Sequence, residues 1–164
     1  MSTMTAAQVM TRDVPTVAES ATVRELLACM RDQLLSGVPI VDAGGRAVGL
    51  VSQNDLARAL ALASSEAGTL GRHKTAVFRV DQALNLAAAA PSPALDELLA
   101  RPVKELMTPV VWSCTPDTPL DDICDMMVQR RIHRVVVCDQ ARHVVGIVSA
   151  LEVVRRFRDD LRAR

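Results

Sequence analysis

The sequence predicts an α+β fold in which two α-β-β-α repeats pack face to face with pseudo-two-fold symmetry, with a helical connector between them. Three observations predict this class. The chain repeats itself in register, each copy combines helical spacing with short apolar strands, and one copy alone has too small a sheet to cover its apolar face. The predicted organisation is one integrated module with a first repeat at 1–63, a connector at 64–103 and a second repeat at 104–164.

The duplication is visible when the sequence is shifted by 97 positions, the separation between Met10 and Met107. The register then holds without a gap from residue 9 to about residue 58. A gapless register that carries two matched motifs indicates a tandem repeat. The coinciding residues include Met10-Thr11 with Met107-Thr108, Val14 with Val111, Met30 with Met127, Val38 with Val135, Asp42 with Asp139, Val48-Gly49 with Val145-Gly146, and Val51-Ser52 with Val148-Ser149.

The first copy begins with an extended segment at 13–17 and a helix that Ser20 or Thr22 can cap. Helical spacing is carried by Val23, Leu26, Leu27, Met30 and Leu34. Strands at 38–41 and 47–51 flank a hairpin turn at 42–45, and a helix follows from Ser52 to about Ala63.

The second copy repeats this plan. An extended segment at 110–114 precedes a helix with Asp117 or Thr118 as its cap and Pro119 in its first turn. Its apolar face carries Leu120, Ile123, Cys124 and Met127, its strands lie at 135–138 and 144–148, and a last helix runs from Ser149 to about Leu161.

The connector contains an alanine-rich run at 86–90 and the sequence Pro91-Ser92-Pro93, after which Leu95, Leu98 and Leu99 show helical spacing. We expect a partly helical segment packed on the outside of the module. It carries no chemical motif, so the pattern favours a spacer with an amphipathic face over a lid or a partner surface.

The composition of the chain limits the classes of function that we expect. The chain has 164 residues, 49% of them hydrophobic, so we expect a folded domain with a core. Its 19 basic and 19 acidic residues cancel, the basic residues are scattered apart from small clusters at Arg72-His73-Lys74 and near the C-terminus, and only 2% of residues are aromatic. These features disfavour nucleic-acid binding. No apolar run has the length of a membrane span and the N-terminus lacks a signal-peptide pattern, so we expect a cytoplasmic protein that does not enter the membrane.

No catalytic or metal-binding motif emerges. The four cysteines form no C-x-x-C pair, and the three histidines show no metal-ligand spacing, so we expect neither a bound metal nor an enzyme. The cysteines are interpreted as small buried hydrophobes, and Met10, Met30, Met107, Met126 and Met127 as core residues.

The stretches "GLVSQNDL" at 49–56 and "GIVSALEV" at 146–153 place an acid three residues after a serine at a helix start. This spacing is typical of a capping box, which explains Ser149 and Glu152 fully, whereas Asp55 is one methylene shorter and is expected to fit less well. A carboxylate can also accept hydrogen bonds from the two vicinal hydroxyls of a ribose, near amides of the helix N-terminus that favour phosphate. Gly49 would let such a ligand approach the backbone.

The two copies together resemble a tandem CBS-domain pair, or Bateman module. The resemblance rests on "VMTRDVPTV" and "LMTPVVW", "GVPIVD" and "HRVVVCD", and the two serine motifs, and it covers nearly the whole chain apart from the connector. It implies a stand-alone regulatory module, not an enzyme, that binds AMP, ADP or ATP, with NAD or S-adenosylmethionine as alternatives. It also implies a homodimer and a separate, unknown regulated protein.

The resemblance further implies clefts that combine both copies. The ribose pattern is complete at Gly49, Ser52 and Asp55 and departs at Glu152, so we expect one good site and a weak or empty second one. The primary site would contain Leu50, Ser52, Asp55, Val110, Val111, Trp112, Ile132, His133 and Arg134. The second site would contain Asp13, Val14, Pro15, Ser36, Gly37, Ile147, Ser149 and Glu152.

Several of these residues have a second interpretation. Trp112 is suited to stacking on adenine, but equally to core packing or a dimer contact. His133 and Arg134 suit phosphate, although a strand entry facing solvent is the alternative. Arg58, one turn after Asp55, fits a solvated helix face better than a phosphate contact. A scaffold protein without ligand binding is the competing function for the whole chain.

Overall fold

A computed structural model describes residues 4–65, 93–109 and 111–163. The first copy contains α1 (Ala6–Val9), β1 (Thr11–Arg12), β2 (Val17–Ala18), α2 (Val23–Asp32), β3 (Gly37–Val41), β4 (Ala47–Ser52) and α3 (Gln53–Ser65). Helix α4 (Pro93–Ala100) and a 3-10 turn (Val103–Glu105) lead into β5 (Ser113–Cys114), α5 (Leu120–Arg130), β6 (Arg134–Cys138), β7 (Val144–Ser149) and α6 (Ala150–Arg162). The α+β class and the two repeats are confirmed.

The strands form two small sheets, one for each copy. The first has the order β2-β3-β4, with β2 parallel to β3. The second has the order β1-β7-β6-β5, with β5 parallel to β6 and β7 antiparallel to both β6 and β1. Helix α2 connects β2 to β3 and helix α5 connects β5 to β6, because parallel neighbours need a crossover connection. A tight hairpin turn connects β3 to β4 and β6 to β7.

The opening segment of each copy pairs with the last strand of the other copy. Thr11 pairs with Ile147, and the equivalent Thr108 forms a bridge with Leu50. By their contacts the residues therefore fall into two compact units. We call Met1–Val14, Gly44–Ala47 and Val110–Arg164 the second-repeat unit, and Pro15–Ala43 with Val48–Pro109 the first-repeat unit.

Each unit has its own apolar core. The first-repeat unit is built around the fully buried Leu26, Val38 and Val51, and the second-repeat unit around Ile123, Val135 and Val148 at the equivalent positions. The predicted methionine packing is confirmed: Met30 and Met127 are buried, while Met10, Met107 and Met126 pack against these clusters. Cys114 and Cys138 are buried, and Cys29 and Cys124 are half-buried.

Left-handed backbone positions also follow the repeat. Leu34, which follows α2, and Arg131, which follows α5, both have φ of 53°, and Gly45 and Arg142 occupy matching turn positions with φ of 76° and 69°. The prediction that Leu34 lies on the apolar helix face is wrong. Helix α2 ends at Asp32, and the left-handed turn leaves Leu34 91% exposed, whereas Leu35 packs against the core.

One open alternative is resolved and two local predictions are corrected. Thr22, and not Ser20, caps α2, with its hydroxyl accepting from the Glu25 amide at 3.2 Å. Pro119, and neither Asp117 nor Thr118, is the N-cap of α5, and its side chain has no group that could make a cap bond. The Thr118 hydroxyl accepts from the Thr115 amide at 3.0 Å. The segment at 13–17 is not continuously extended, since Asp13 has a φ of 52°.

The connector residues at 93–103 contribute to the core, which corrects the prediction that the connector packs outside. Leu98 and Leu99 are buried, and Leu99 and Val103 belong to the core of the first-repeat unit. The alanine-rich run at 86–90 and the basic cluster at 72–74 lie outside the described residues. Within the described residues, no helix has the length and apolar character needed to cross a membrane, and no cluster of three or more His, Cys, Asp or Glu side chains is arranged to hold a metal ion.

Candidate functional site

The Ser52–Asp55 motif forms a complete capping box at the start of α3. The backbone amide and the hydroxyl of Ser52 both donate to Asp55 Oδ2, at 2.8 and 2.6 Å. In return, the Asp55 amide donates weakly to the Ser52 hydroxyl at 3.4 Å. The expectation that Asp55 fits the box less well than Glu152 is wrong, because the Ser52 amide lies 2.8 Å from its carboxylate and the Ser149 amide lies 3.1 Å from that of Glu152.

Ser149 and Glu152 make the same arrangement at the start of α6. The Ser149 amide donates to Glu152 Oε2 at 3.1 Å, the Ser149 hydroxyl donates to the same oxygen, and the Glu152 amide donates to the Ser149 hydroxyl at 3.3 Å. In both motifs one carboxylate oxygen takes the cap bonds. Asp55 Oδ1 accepts no hydrogen bond from the residues that the structure describes.

The glycine of each motif is explained by chain packing and not by ligand approach. A Cβ at Gly49 would lie 2.5 Å from Met107 Sδ and 3.0 Å from the Thr108 carbonyl oxygen. A Cβ at Gly146 would lie 2.7 Å from Met10 Sδ and 2.8 Å from the Thr11 carbonyl oxygen. Both glycines therefore admit the Met-Thr segment that crosses from the other copy, which corrects the interpretation of Gly49.

Trp112 stands at the entry to β5 in the second-repeat unit. Its carbonyl accepts from the Val136 amide at 2.9 Å, which fixes its backbone against β6. The half-buried indole carries the guanidinium of Arg130 4.6 Å from its ring centroid, a cation-π contact. Sequence reasoning missed Arg130, because the end of α5 meets Trp112 only through the tertiary fold. Val111 beside it is half-buried, and Val110 lies outside the described residues.

The predicted phosphate-binding residues occupy the loop into β6. His133 is exposed and its carbonyl accepts from the Ala150 amide at 2.9 Å, while Ile132 is half-buried. Arg134 is half-buried opposite Ser149 in the β6–β7 pair. Burial lowers the pKa of the Arg134 guanidinium, and the nearby negative charge of Glu152 opposes that shift. A phosphate would compete with Glu152 for the attraction of this cation.

The predicted primary site is thus divided between the two units. Leu50, Ser52 and Asp55 belong to the first-repeat unit, and Trp112, His133 and Arg134 to the second-repeat unit. For the second site, Pro15, Ser36 and Gly37 lie in the first-repeat unit, while the remaining members, Asp13, Val14, Ile147, Ser149 and Glu152, lie in the second-repeat unit. The Ser36 carbonyl accepts from the Gln53 amide at 3.1 Å, so this strand entry is held to the start of α3. Arg58 is exposed on that helix.

Two repeats of this topology, each with a serine–acid box at the start of its last helix, define a class of tandem α+β modules. The CBS domain family matches residues 6–62 and 103–159, so the chain belongs to the CBS-domain family and its two copies are a tandem CBS pair. The resemblance seen in the sequence is confirmed.

Curated relatives extend the comparison. The chain is 25% identical over 146 residues to 5′-AMP-activated protein kinase subunit gamma-3 of Sus scrofa, covering 88% of this chain and 23% of that protein. It is 29% identical over 143 residues to the chloroplastic CBS domain-containing protein CBSX1 of Arabidopsis thaliana, covering 87% of this chain and 58% of that protein. The chain spans about a quarter of the kinase subunit and less than two thirds of CBSX1.

Solved structures share the fold. The CBS domain pair of protein MJ0100, crystallised with 5′-methylthioadenosine and S-adenosyl-L-methionine, matches with a TM-score of 0.71 and 21% identity over 97% of this chain and 99% of that one. CBSX2 in complex with AMP matches with a TM-score of 0.66 and 22% identity over 94% of this chain and 96% of that one.

Proposed function

We propose that this chain is a regulatory module that binds an adenosine-containing ligand and signals to a separate protein. The observation that carries the proposal is the Asp55 carboxylate, which Ser52 holds through Oδ2 while Oδ1 accepts no hydrogen bond from any described residue. Both hydroxyls of a ribose can donate to such a pre-oriented carboxylate in charge-assisted bonds. The N-terminus of α3 is the positive end of the helix dipole, which favours a phosphate nearby.

Residues of the second-repeat unit are proposed to complete the same site. Trp112, whose ring centroid lies 4.6 Å from the Arg130 guanidinium, would stack on the adenine. Arg134 and His133 would contact phosphate, and Arg134 suits this because a guanidinium binds phosphate oxygens in pairs. The resemblance to CBS pairs supports combining these residues with Leu50, Ser52 and Asp55, together with Val110, Val111 and Ile132.

The Glu152 motif is proposed to be the weaker site. Its carboxylate lies beside Arg134, whose charge it already partly neutralises. A ribose at Glu152 would therefore compete with the attraction between Glu152 and Arg134. Because Glu152 is itself acidic, it adds no positive charge for a phosphate. The remaining members of this site, Asp13, Val14, Pro15, Ser36, Gly37, Ile147 and Ser149, supply no basic side chain.

AMP, ADP or ATP is the proposed ligand, with NAD or S-adenosylmethionine as alternatives. Support comes from relatives: CBSX2 was crystallised with AMP, and protein MJ0100 with 5′-methylthioadenosine and S-adenosyl-L-methionine. Binding regulates a partner only if the ligand has different affinities for two conformations of the module.

The test is a thermal-shift panel of AMP, ADP, ATP, NAD, NADH and S-adenosylmethionine, repeated by fluorescence, since Trp112 is the only tryptophan. A hundredfold excess of ligand over Kd adds about 2.7 kcal/mol of stability, which corresponds to roughly 5 to 10 °C for a chain of this size. Asp55→Ala should abolish the shift. Glu152→Ala is the matched control, because it removes the equivalent capping acid and should retain most of the shift. A full shift in Asp55→Ala would refute the assignment.

The competing proposal is a scaffold without ligand binding, and it is favoured by the capping boxes, which account for both serine–acid pairs without a ligand. In that case no ligand of the panel changes the melting temperature, and Asp55→Ala leaves binding to its protein partner unchanged.

We also propose that the chain forms a homodimer through the last helix. Helix α6 has no buried residue, and four large apolar side chains on one side of it are 56–65% exposed: Leu151, Val154, Phe157 and Leu161. An apolar stripe of this length is typical of an interaction surface. Phe157→Glu should give a monomer in analytical ultracentrifugation. Arg156→Gln, on the opposite side of the helix, should leave the dimer intact, and a dimer that survives Phe157→Glu would contradict the proposal.

A further inference from the structure

A groove of about 450 Å³ lies in the first-repeat unit, between α3, α4 and the 3-10 turn. Its volume falls within the roughly 300–1,000 Å³ that small-molecule sites occupy. Ala59 and Ala63 of α3 line one side, and Leu98 and Leu106 contribute apolar surface from the facing segment. The two alanines, four residues apart on one side of α3, leave space that larger side chains would fill.

The rim of this groove carries two acidic side chains and one basic side chain. Arg101 donates from Nε to Glu105 Oε2 at 2.8 Å, so these two side chains neutralise each other. Glu97, which precedes Arg101 by one helical turn, forms no ion pair with any of the residues that the structure describes. The rim therefore has a net negative charge that is centred on Glu97.

We propose that this groove binds a small amphipathic organic cation. The ammonium of the ligand pairs with the Glu97 carboxylate, and its apolar body covers Ala59, Ala63 and Leu98. Charge complementarity selects this class, because an anion would face two carboxylates and only one arginine that is already paired. A neutral apolar compound would cover the apolar surface of the groove but would not pair with the Glu97 carboxylate.

The groove is separate from the proposed adenosine site. It contains none of the residues assigned to that site, and its net negative rim is unsuited to a phosphate group. The inference therefore does not rest on the proposed function, and either one can fail while the other holds.

The experiment uses the full chain and three probes of nearly equal shape at pH 7: benzylamine, which is cationic, benzyl alcohol, which is neutral, and benzoate, which is anionic. Binding is followed by NMR titration, with the methyl signals of Ala59 and Ala63 reporting on the groove itself. The expected order of affinity is benzylamine, then benzyl alcohol, then benzoate. Equal or tighter binding of benzoate at these methyl groups, or no perturbation of them by benzylamine, would overturn the proposal.

Two variants separate charge from shape. Glu97→Gln, at an exposed position, should weaken benzylamine binding by roughly two- to fivefold, the effect of one exposed ion pair, and leave benzyl alcohol unchanged. Ala59→Leu should fill the groove and weaken both probes. Asp122→Asn, which removes an exposed carboxylate from α5, is the control and should change neither. An unchanged benzylamine affinity in Glu97→Gln would also refute the assignment.

Discussion

Replacing Gly146 with alanine should destabilise the protein, because the new methyl group meets backbone that cannot move. The added Cβ would lie 2.8 Å from the Thr11 carbonyl oxygen, closer than real Cβ contacts come. Strand pairing holds that carbonyl in place, since Thr11 pairs with Ile147 and Arg12 with Gly146. Overpacking of this kind costs about 1–3 kcal/mol, or roughly 2 to 12 °C in Tm for a chain of this length.

Gly49 is the internal comparison. Its nearest obstacle is the flexible side chain of Met107, at 2.5 Å from Sδ, while the Thr108 carbonyl oxygen is at 3.0 Å. A methionine side chain can change rotamer more cheaply than a paired strand can shift. Gly49→Ala should therefore cost less than Gly146→Ala, and much of its cost should disappear in a Met107→Ala background. The carbonyl clash at Gly146 should persist when Met10 is replaced by alanine.

The assay is urea unfolding of the four single variants and the two double variants, analysed as two double-mutant cycles. The expected result is a larger coupling between Gly49→Ala and Met107→Ala than between Gly146→Ala and Met10→Ala. Wild-type stability in Gly146→Ala, or its complete rescue by Met10→Ala, would refute the assignment of the clash to the backbone.

Further predictions concern the core, a helix cap and a buried thiol. Leu26→Ala and Ile123→Ala remove equivalent, fully buried side chains, so each should cost about 2–5 kcal/mol in urea unfolding, and a cost below 1 kcal/mol would contradict their central position. Thr22→Ala should cost about 0.5–2 kcal/mol because the Glu25 amide loses its cap, whereas Thr22→Ser should restore most of that stability. Burial raises the pKa of Cys114 from the ordinary thiol value of 9.0 to about 11. The folded state therefore holds this proton more tightly than the unfolded state, so the stability this proton provides is fully present below pH 9 and is lost as the pH rises towards 11. Stability measured against pH should fall less steeply in that window for Cys114→Ala, and an identical slope would exclude the thiol as a cause.

Much of the fold could be predicted because its signals are local. The spacing of Leu26, Leu27 and Met30 defines one helix face. The predicted ends of the strands on either side of the Asp42 and Asp139 turns agree with the observed ends to within one or two residues. The serine–acid capping boxes at Ser52 and Ser149 could also be predicted from the sequence, because both partners lie within one turn at the start of the same helix. Duplication reinforced each of these signals by presenting it twice.

The sequence by itself determined the duplication, the order of helices and strands in each copy, and the serine–acid pairs that start the last helices. Only the tertiary structure decided which residues meet across long separations in the chain. These are the contact of Met10 with Gly146, the contact of Arg130 with Trp112, the attraction between Arg134 and Glu152, and the packing of Leu99 from the connector into the core. The physical reason is that periodicity and capping act over one or two turns of chain, whereas these contacts depend on how the chain folds back on itself. The exposure of Leu34 has the same origin, because a left-handed turn just after α2 removed from the core a residue whose spacing alone had placed it there.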